Sequence, residues 1–412
     1  MDKVKIRNIF RSRCLIALFV LWAFSSAAHA EERVALYRAQ TLVADTSDAT
    51  RAAAANQLLH EVLVRVSGSR RVLEHMPPED FVDSLAFYTE QQAEADPELL
   101  MADYREHENF DLWQQLTNAQ RWVSQYAYQS TRELIENEEG ENVRAHRLDL
   151  EFDASAINAL LEEMQAPVWD ARRPKTLFMI ALQGRQGRYL VTTSSNEALA
   201  LRLQELMQER GVPLLLPENE QLLPSDLLAD IWRGASNQVL EGVRALQPDA
   251  VVIGRIYPDS GSWATEWQLF TGLDRIRSKS ANSTLGEALS EGVNFVAESL
   301  AERYASSPDQ GAGHYRMAIT NIHEVAHFAQ VMDYLNDLSL TNSVELIRVQ
   351  DQQILLELSL RGGMNQLRAN LNLDGRLAEE AFYSLQHSRN NDESFSSAEP
   401  IRVDGWFRWQ DQ

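Results

Sequence analysis

Apolar residues recur along this chain with two periods, and the alternation between them marks out three blocks. The first opens with a strand-like run, Val34 to Val43. An acidic cap region, Asp45 to Asp48, then precedes Thr50 to Val66, where Leu58, Leu59, Val62 and Val66 fall at helical spacing and Ser67 and Gly68 end the run. Glu79 to Gln92, behind Pro77 and Pro78, predicts a second helix; Ala93 to Asn109 is acidic and reads as a loop; Asp111 to Trp122 predicts a third helix. Tyr126, Tyr128 and Ser130 alternate with polar neighbours, as does Val143 to Asp153 across the turn-like Asn137 to Asn142. This predicts a hairpin, followed by a helix over Ala154 to Met164. The result is an α+β unit over residues 31–165.

Gln165 to Lys175, with Pro167, Pro174 and the Arg172–Arg173 pair, reads as a linker. The second block, residues 175–305, starts with a buried strand at Thr176 to Leu182 and a strand at Tyr189 to Thr193. A helix over Asn196 to Arg210 stops at Gly211, and Val212 to Leu216 is a short strand. Ser225 to Leu246 is helical. Ala250 to Gly254 is continuously apolar, as suits a central strand covered on both faces. Trp263, Thr265, Trp267 and Leu269 share one face of a further strand, and Leu285 to Tyr304 is a helix, which together predict a layered α/β domain. The third block, residues 314–388, reads strand (Tyr315 to Thr320), helix (Ile322 to Leu338), strand (Val344 to Val349), strand (Ile354 to Leu360) and helical segments to Gln386, a β-α-β-β-α order compatible with a ferredoxin-like sandwich. Residues 389–412 form a polar tail that ends in the aromatic cluster Trp406 to Trp409, read as a last strand packed on one domain. The predicted fold is multi-domain: a central α/β layer flanked by an α+β domain and a small β-α-β-β-α domain.

Composition adds an address. Lys3, Lys5, Arg7, Arg11 and Arg13 precede an apolar run from Cys14 to Phe24, and Ala28-His29-Ala30 then stands before Glu31 and Glu32. That is the basic, apolar and small-residue order of a secretory signal peptide, with cleavage expected after Ala30. The run is too short to span a bilayer as a helix, so a periplasmic protein without a stable membrane anchor is expected; the alternative is an inner-membrane anchor through an uncleaved signal. Cys14 is the only cysteine, which excludes a disulfide framework and a multi-thiolate metal site. A net charge of -22 opposes nucleic-acid binding.

One sequence motif carries sharp chemistry. His323-Glu324-Val325-Ala326-His327 matches H-E-x-x-H, in which two imidazoles one helical turn apart hold zinc and the glutamate activates water. A wheel drawn from Val325 places Phe328, Met332 and Leu335 on the core stripe and puts His323 and His327 on the opposite, solvent face with Gln330 and Tyr334. A metalloprotease needs its histidines turned into a cleft. The pattern is therefore read as surface histidines, with a zinc-dependent hydrolase using His323, Glu324 and His327 as the alternative. Phosphate-loop, nucleophile-elbow and dinucleotide motifs do not occur. Trp263 and Trp267 suit core packing better than an aromatic platform for a ligand.

Val64 to Gly68, Tyr126-Ala127-Tyr128, the Leu148 to Asp153 strand, Pro248 to Arg255 and the Trp263 and Trp267 pair together resemble an uncharacterised proteobacterial family, domain of unknown function 2066, over Glu32 to Gln386. The resemblance implies an exported envelope protein and brings no cofactor or catalytic residue. The reading adopted is a non-enzymatic binding or scaffold module for envelope proteins, with Trp263, Trp267 and Tyr334 as candidate surface. A periplasmic small-ligand receptor is the further alternative.

Overall fold

The computed structural model describes residues 35–75, 115–116, 118–137, 140–194, 196–307, 311–380 and 402–410. The expected signal segment, the Glu79 to Gln92 helix, the Ala93 to Asn109 loop and most of the polar tail lie outside the described residues. Within them the chain forms a mixed α/β structure of eight helices and three sheets. None of these helices is long and apolar enough to cross a membrane.

The first sheet contains β1 (Arg38–Val43), β2 (Val123–Glu136) and β3 (Asn142–Phe152), antiparallel in the order β1-β3-β2. Helix α1 (Asp48–Ser67) starts where the Ser47 hydroxyl accepts the Thr50 amide and stops at Gly68, whose φ of 73° is left-handed. Its buried stripe includes Leu58, Leu59, Val62 and Val66, the residues whose spacing predicted it. The last turn of the expected Asp111 to Trp122 helix is instead a 3-10 turn over Ala119–Trp122 that leads straight into β2. Asp153 caps α2 (Ala154–Glu163).

The second sheet has the order β5-β4-β7-β8-β9, with β6 (Leu214–Leu215) also on β4 (Thr176–Gly184). Strands β5 (Gly187–Leu190), β7 (Ala250–Asp259), β8 (Ser262–Thr271) and β9 (Asp274–Asn282) complete it, with β4 and β7 parallel. Helix α3 (Glu197–Glu209) and α6 (Leu285–Tyr304) bury one face through Leu203, Met207, Val293 and Val296. On the other face lie α4 (Leu227–Arg233) and α5 (Ser236–Val243). This helical stretch was expected to be continuous from Ser225 to Leu246, but it breaks at Gly234, whose φ is 75°. Strand β7 is buried on both sides, as its unbroken apolar run requires. Strand β9 was not foreseen: Asp-Arg-Ile-Arg-Ser-Lys-Ser-Ala-Asn has no apolar alternation because it is an outer, largely exposed strand.

The third sheet has the order β11-β12-β10-β14-β13. Strand β10 (Gly313–Thr320), α7 (Val325–Asn336), β11 (Thr341–Gln350), β12 (Gln353–Leu360) and α8 (Met364–Asp374) follow the expected order. Helix α8 ends at Asp374, because Gly375 turns left-handed and Leu377 enters β13 (Leu377–Glu379), and the rest of the helical stretch expected to Gln386, from residue 381, lies outside the described residues. Without β14 (Gly405–Trp409) the strands would stand in the ferredoxin-like order. The carboxy-terminal strand inserts between β10 and β13, parallel to the first and antiparallel to the second. Trp406 packs with Ala318 and Leu355 on one face, while Phe407 and Trp409 enter the core on the other. The aromatic cluster is thus a packed strand.

The segment from Gln165 to Lys175, expected as a linker, is a packed hub. Val168 and Ser306 exchange backbone bonds of 3.0 and 2.9 Å, and the buried Trp169 ring stacks on Tyr304 at 6.3 Å. Asp170 accepts the Ser339 hydroxyl at 3.2 Å, and Arg172 donates to the Asp337 carbonyl at 2.7 Å, which ties the third sheet in. The Arg173 guanidinium lies 4.3 Å over the Trp169 ring and donates to five backbone carbonyls, those of Asp170, Arg210, Gly211, Arg65 and Trp169, at 2.7 to 3.1 Å. Two of these acceptors, Arg65 and Arg210, lie at the carboxyl ends of α1 and α3, where helices leave carbonyls unsatisfied and favour a cation. Burial pushes the Arg173 pKa down to about 9, which still leaves it charged at neutral pH.

Candidate functional site

The H-E-x-x-H residues do not share a helix. Glu324 is the extended N-cap of α7, with φ -146° and ψ 163°, so His323 stands outside the first turn. The two imidazoles are 6.2 Å apart, edge to face. His323 Nε2 pairs with Asn321 Oδ1 at 2.8 Å, and His327 Nε2 lies 3.3 Å from Glu324 Oε1. Among the described residues no three His, Cys, Asp or Glu gather as a metal-holding group. The expected phase of this helix also needs correction. Val325 is 83% exposed, whereas His327 and Tyr334 are 6% and 4% exposed, so the buried stripe runs through His327, Val331, Tyr334 and Leu335. An amphipathic ring is buried here because its polar end is met: Tyr334 donates to Asp374 Oδ1 at 2.9 Å. Its ring lies beside Trp409 at 6.4 Å, with the Arg172 and Arg376 guanidiniums 5.8 and 5.4 Å away. Burial first, and then the Asp374 charge, raises the pKa of this hydroxyl and keeps it a neutral donor.

Of the expected aromatic surface, Tyr334 is therefore a core residue, and so is Trp267 at 1% exposure. The Trp267 indole fills the space left by two glycines: a Cβ at Gly254 would lie 2.7 Å from Cε3, and one at Gly292 would lie 2.9 Å from Nε1, with other ring atoms closer still. Trp263 is half-buried against the same core. Trp263 and Trp267 pack into the core of the second sheet and Tyr334 into that of the third, so the three offer no common surface.

A different surface emerges from the strand register. Arg255 of β7, Glu266 of β8 and Lys279 of β9 stand in one row across the sheet, on the face opposite α6. Gln268 and Arg277 make the next row, Phe270 and Arg275 the one after, and Tyr257 and Ala264 lie on the other side. Helix α4 runs over β4, β5 and β7, and α5 meets the edge of β8 and β9 through the Ser236 hydroxyl, which donates to Gln268 at 3.0 Å and accepts from Arg275 at 3.4 Å, with Phe270 packed against the cluster that holds Val239 and Val243. Beyond that edge, no helix packs extensively on the β8 and β9 half of this face among the described residues. Trp232, at the end of α4, walls this open shelf. The Arg188 guanidinium lies 4.0 Å over its ring, Tyr257 is 5.9 Å away, and Arg255 donates to its carbonyl at 2.8 Å.

The shelf is cationic in a chain of net charge -22. Arg255, Arg275, Arg277 and Lys279 share this face with the carboxylate of Glu266, Arg188 lies against the Trp232 wall, and Asp259 lies at the β7–β8 turn. Glu266 binds Arg255 and, at 3.2 Å, Lys279. Partial burial pushes its carboxyl up, but those two partners outweigh it and leave the pKa below the ordinary value. Arg275 donates to Gln268 and, at 3.4 Å, to Ser236. Desolvation, followed by the neighbouring Arg277 charge, lowers its pKa. Neither Arg275 nor Arg277 has a carboxylate within ion-pair distance among the described residues. The sequence signal was present as Arg-x-Arg-x-Lys at period two. It passed unread because strands were sought through apolar alternation.

Comparison with known proteins corrects the resemblance drawn above. The family model that matches is a domain of unknown function, number 8605, over residues 30–108 and 98–170, which is a different family from domain of unknown function 2066. The matched stretch contains the first sheet and ends within the hub. No curated protein and no solved structure matches the chain.

Proposed function

We propose that this chain is an exported, non-catalytic binding protein of the cell envelope, and that the open half of its central sheet engages an acidic protein partner. The observation that carries the reading is the concentration of unneutralised arginines on that shelf, against an aromatic wall, in a protein whose overall charge is strongly negative. Such a surface attracts an acidic partner locally while the rest of the molecule repels it, which favours one docking orientation. The packed hub supports the same reading, because it fixes the shelf relative to the other two sheets. The basic, apolar and small-residue order of Met1 to Ala30 supports export to the periplasm.

Two measurements test the proposal. Fractionation of expressing cells should place the protein in the periplasmic fraction with Glu31 at its amino terminus; recovery from the cytoplasm with Met1 intact would contradict export. The purified chain should bind poly-L-glutamate with an affinity that falls as salt rises. The Arg275→Glu, Arg277→Glu variant should weaken binding at least tenfold, and unchanged binding in that variant would contradict the shelf as the site.

A further inference from the structure

Strand β9 is the outer strand of the second sheet, and its backbone geometry determines which of its residues face outward. Thr271 pairs with Asp274 across Gly272 and Leu273. Gly272 has φ 60° and Leu273 is not left-handed, which is the pattern of a two-residue type II′ turn. In such a hairpin the flanking pair is hydrogen-bonded, and residues then alternate along the antiparallel ladder between bonding inward and bonding outward. Asp274, Ile276, Ser278 and Ser280 therefore spend their amides and carbonyls on β8. Arg275, Arg277 and Lys279 direct theirs to the open edge, where no described strand meets them. These are also the residues whose side chains line the shelf.

From this coincidence we infer that β9 accepts an extended acidic segment of a partner protein as an added outer strand, with carboxylates at alternate positions opposite Arg275, Arg277 and Lys279. Residues directly opposite in a ladder project to the same face, and alternate residues stand about 7 Å apart on both strands. An acidic residue at every second position thus meets a cation each time. The intervening positions fall beside Ile276, Ser278 and Ser280, which suit small or apolar side chains. Main-chain bonds supply affinity in this mode of recognition, and the alternate side chains supply selectivity. Cations on an outer strand also protect it from pairing with neutral or basic strands, so the same residues that admit an acidic strand reject the others.

The inference rests on the binding reading above, and its test separates the two. Fluorescent peptides alternating Glu and Val, block isomers of the same composition, and alternating peptides N-methylated at every second amide are titrated into the purified chain by anisotropy. A single-stranded oligonucleotide of equal charge serves as a fourth probe. The alternating peptide should bind at least tenfold more tightly than the block isomer, and one of the two N-methylation registers should lose that advantage. Equal binding of the alternating and block peptides, both lost in Arg275→Glu, Arg277→Glu, would overturn strand addition and leave the acidic-partner reading standing. Absence of binding by every peptide would overturn both. Oligonucleotide binding as tight as that of the alternating peptide would overturn the assignment of a protein segment as occupant.

Discussion

The fit of Trp267 between β7 and α6 gives a quantitative prediction. Gly254 and Gly292 face the indole from opposite sides, and a methyl group at either position would fall within contact distance of a rigid ring. Gly292→Ala should therefore destabilise the protein by roughly 1–3 kcal/mol, the range for overpacking a filled core, even though alanine is the better helix former. Trp267→Ala alone removes the whole ring and should cost about 3–5 kcal/mol. In the double variant the new methyl occupies part of the vacated space, so the combined loss should fall short of the sum by about 1–3 kcal/mol. Urea unfolding of the four proteins, followed by far-ultraviolet circular dichroism, measures this coupling. Additivity within about 0.5 kcal/mol, or a Gly292→Ala protein as stable as the parent, would refute the packing argument.

Other substitutions probe the hub, the inserted strand and a helix cap. Arg173→Lys keeps the charge but cannot reach five carbonyls, and should cost roughly 3–5 kcal/mol in thermal or denaturant unfolding, as breaking a buried charged network does. Phe407→Ala should cost about 3–5 kcal/mol and raise amide exchange in β10 and β13, both of which pair with β14. The Ser155 hydroxyl and the Ala156 amide hold the Asp153 carboxyl below its ordinary 3.8. A depressed carboxyl contributes stability above its unfolded pKa, and that contribution is lost as pH falls through the folded value. Asp153→Asn, which keeps an accepting oxygen but cannot titrate, should therefore flatten the pH dependence of stability below about pH 4; an unchanged acid limb would contradict the assignment.

Elements whose signal is local were legible before any coordinates. The helical spacing of Leu58, Leu59, Val62 and Val66 and the stop at Gly68 marked α1. The apolar run at Ala250 correctly implied a strand buried on both faces. What failed depends on partners distant in sequence. The phase of α7 was misjudged because Asp374 and Trp409, which make Tyr334 a core residue, lie 40 and 75 positions away. The hub looked like a linker because prolines and arginines normally mark exposed chain, and only the tertiary fold brings five carbonyls to Arg173. Likewise, no pattern in Gly405 to Trp409 tells that this strand enters between β10 and β13. The shelf was missed because its cations were weighed as part of net charge, and their common face appears only once the β8–β9 register is known.

The most direct test of the proposed binding surface is hydrogen–deuterium exchange of the purified chain with and without poly-L-glutamate, resolved by peptide mapping. The account predicts protection confined to β8, β9 and the Arg188 to Trp232 wall, largest over Arg275 to Lys279, and absent in the Arg275→Glu, Arg277→Glu variant. Protection centred on β1, β2, β11 or β13, the outer strands of the other two sheets, or an unchanged pattern at saturating ligand, would contradict it.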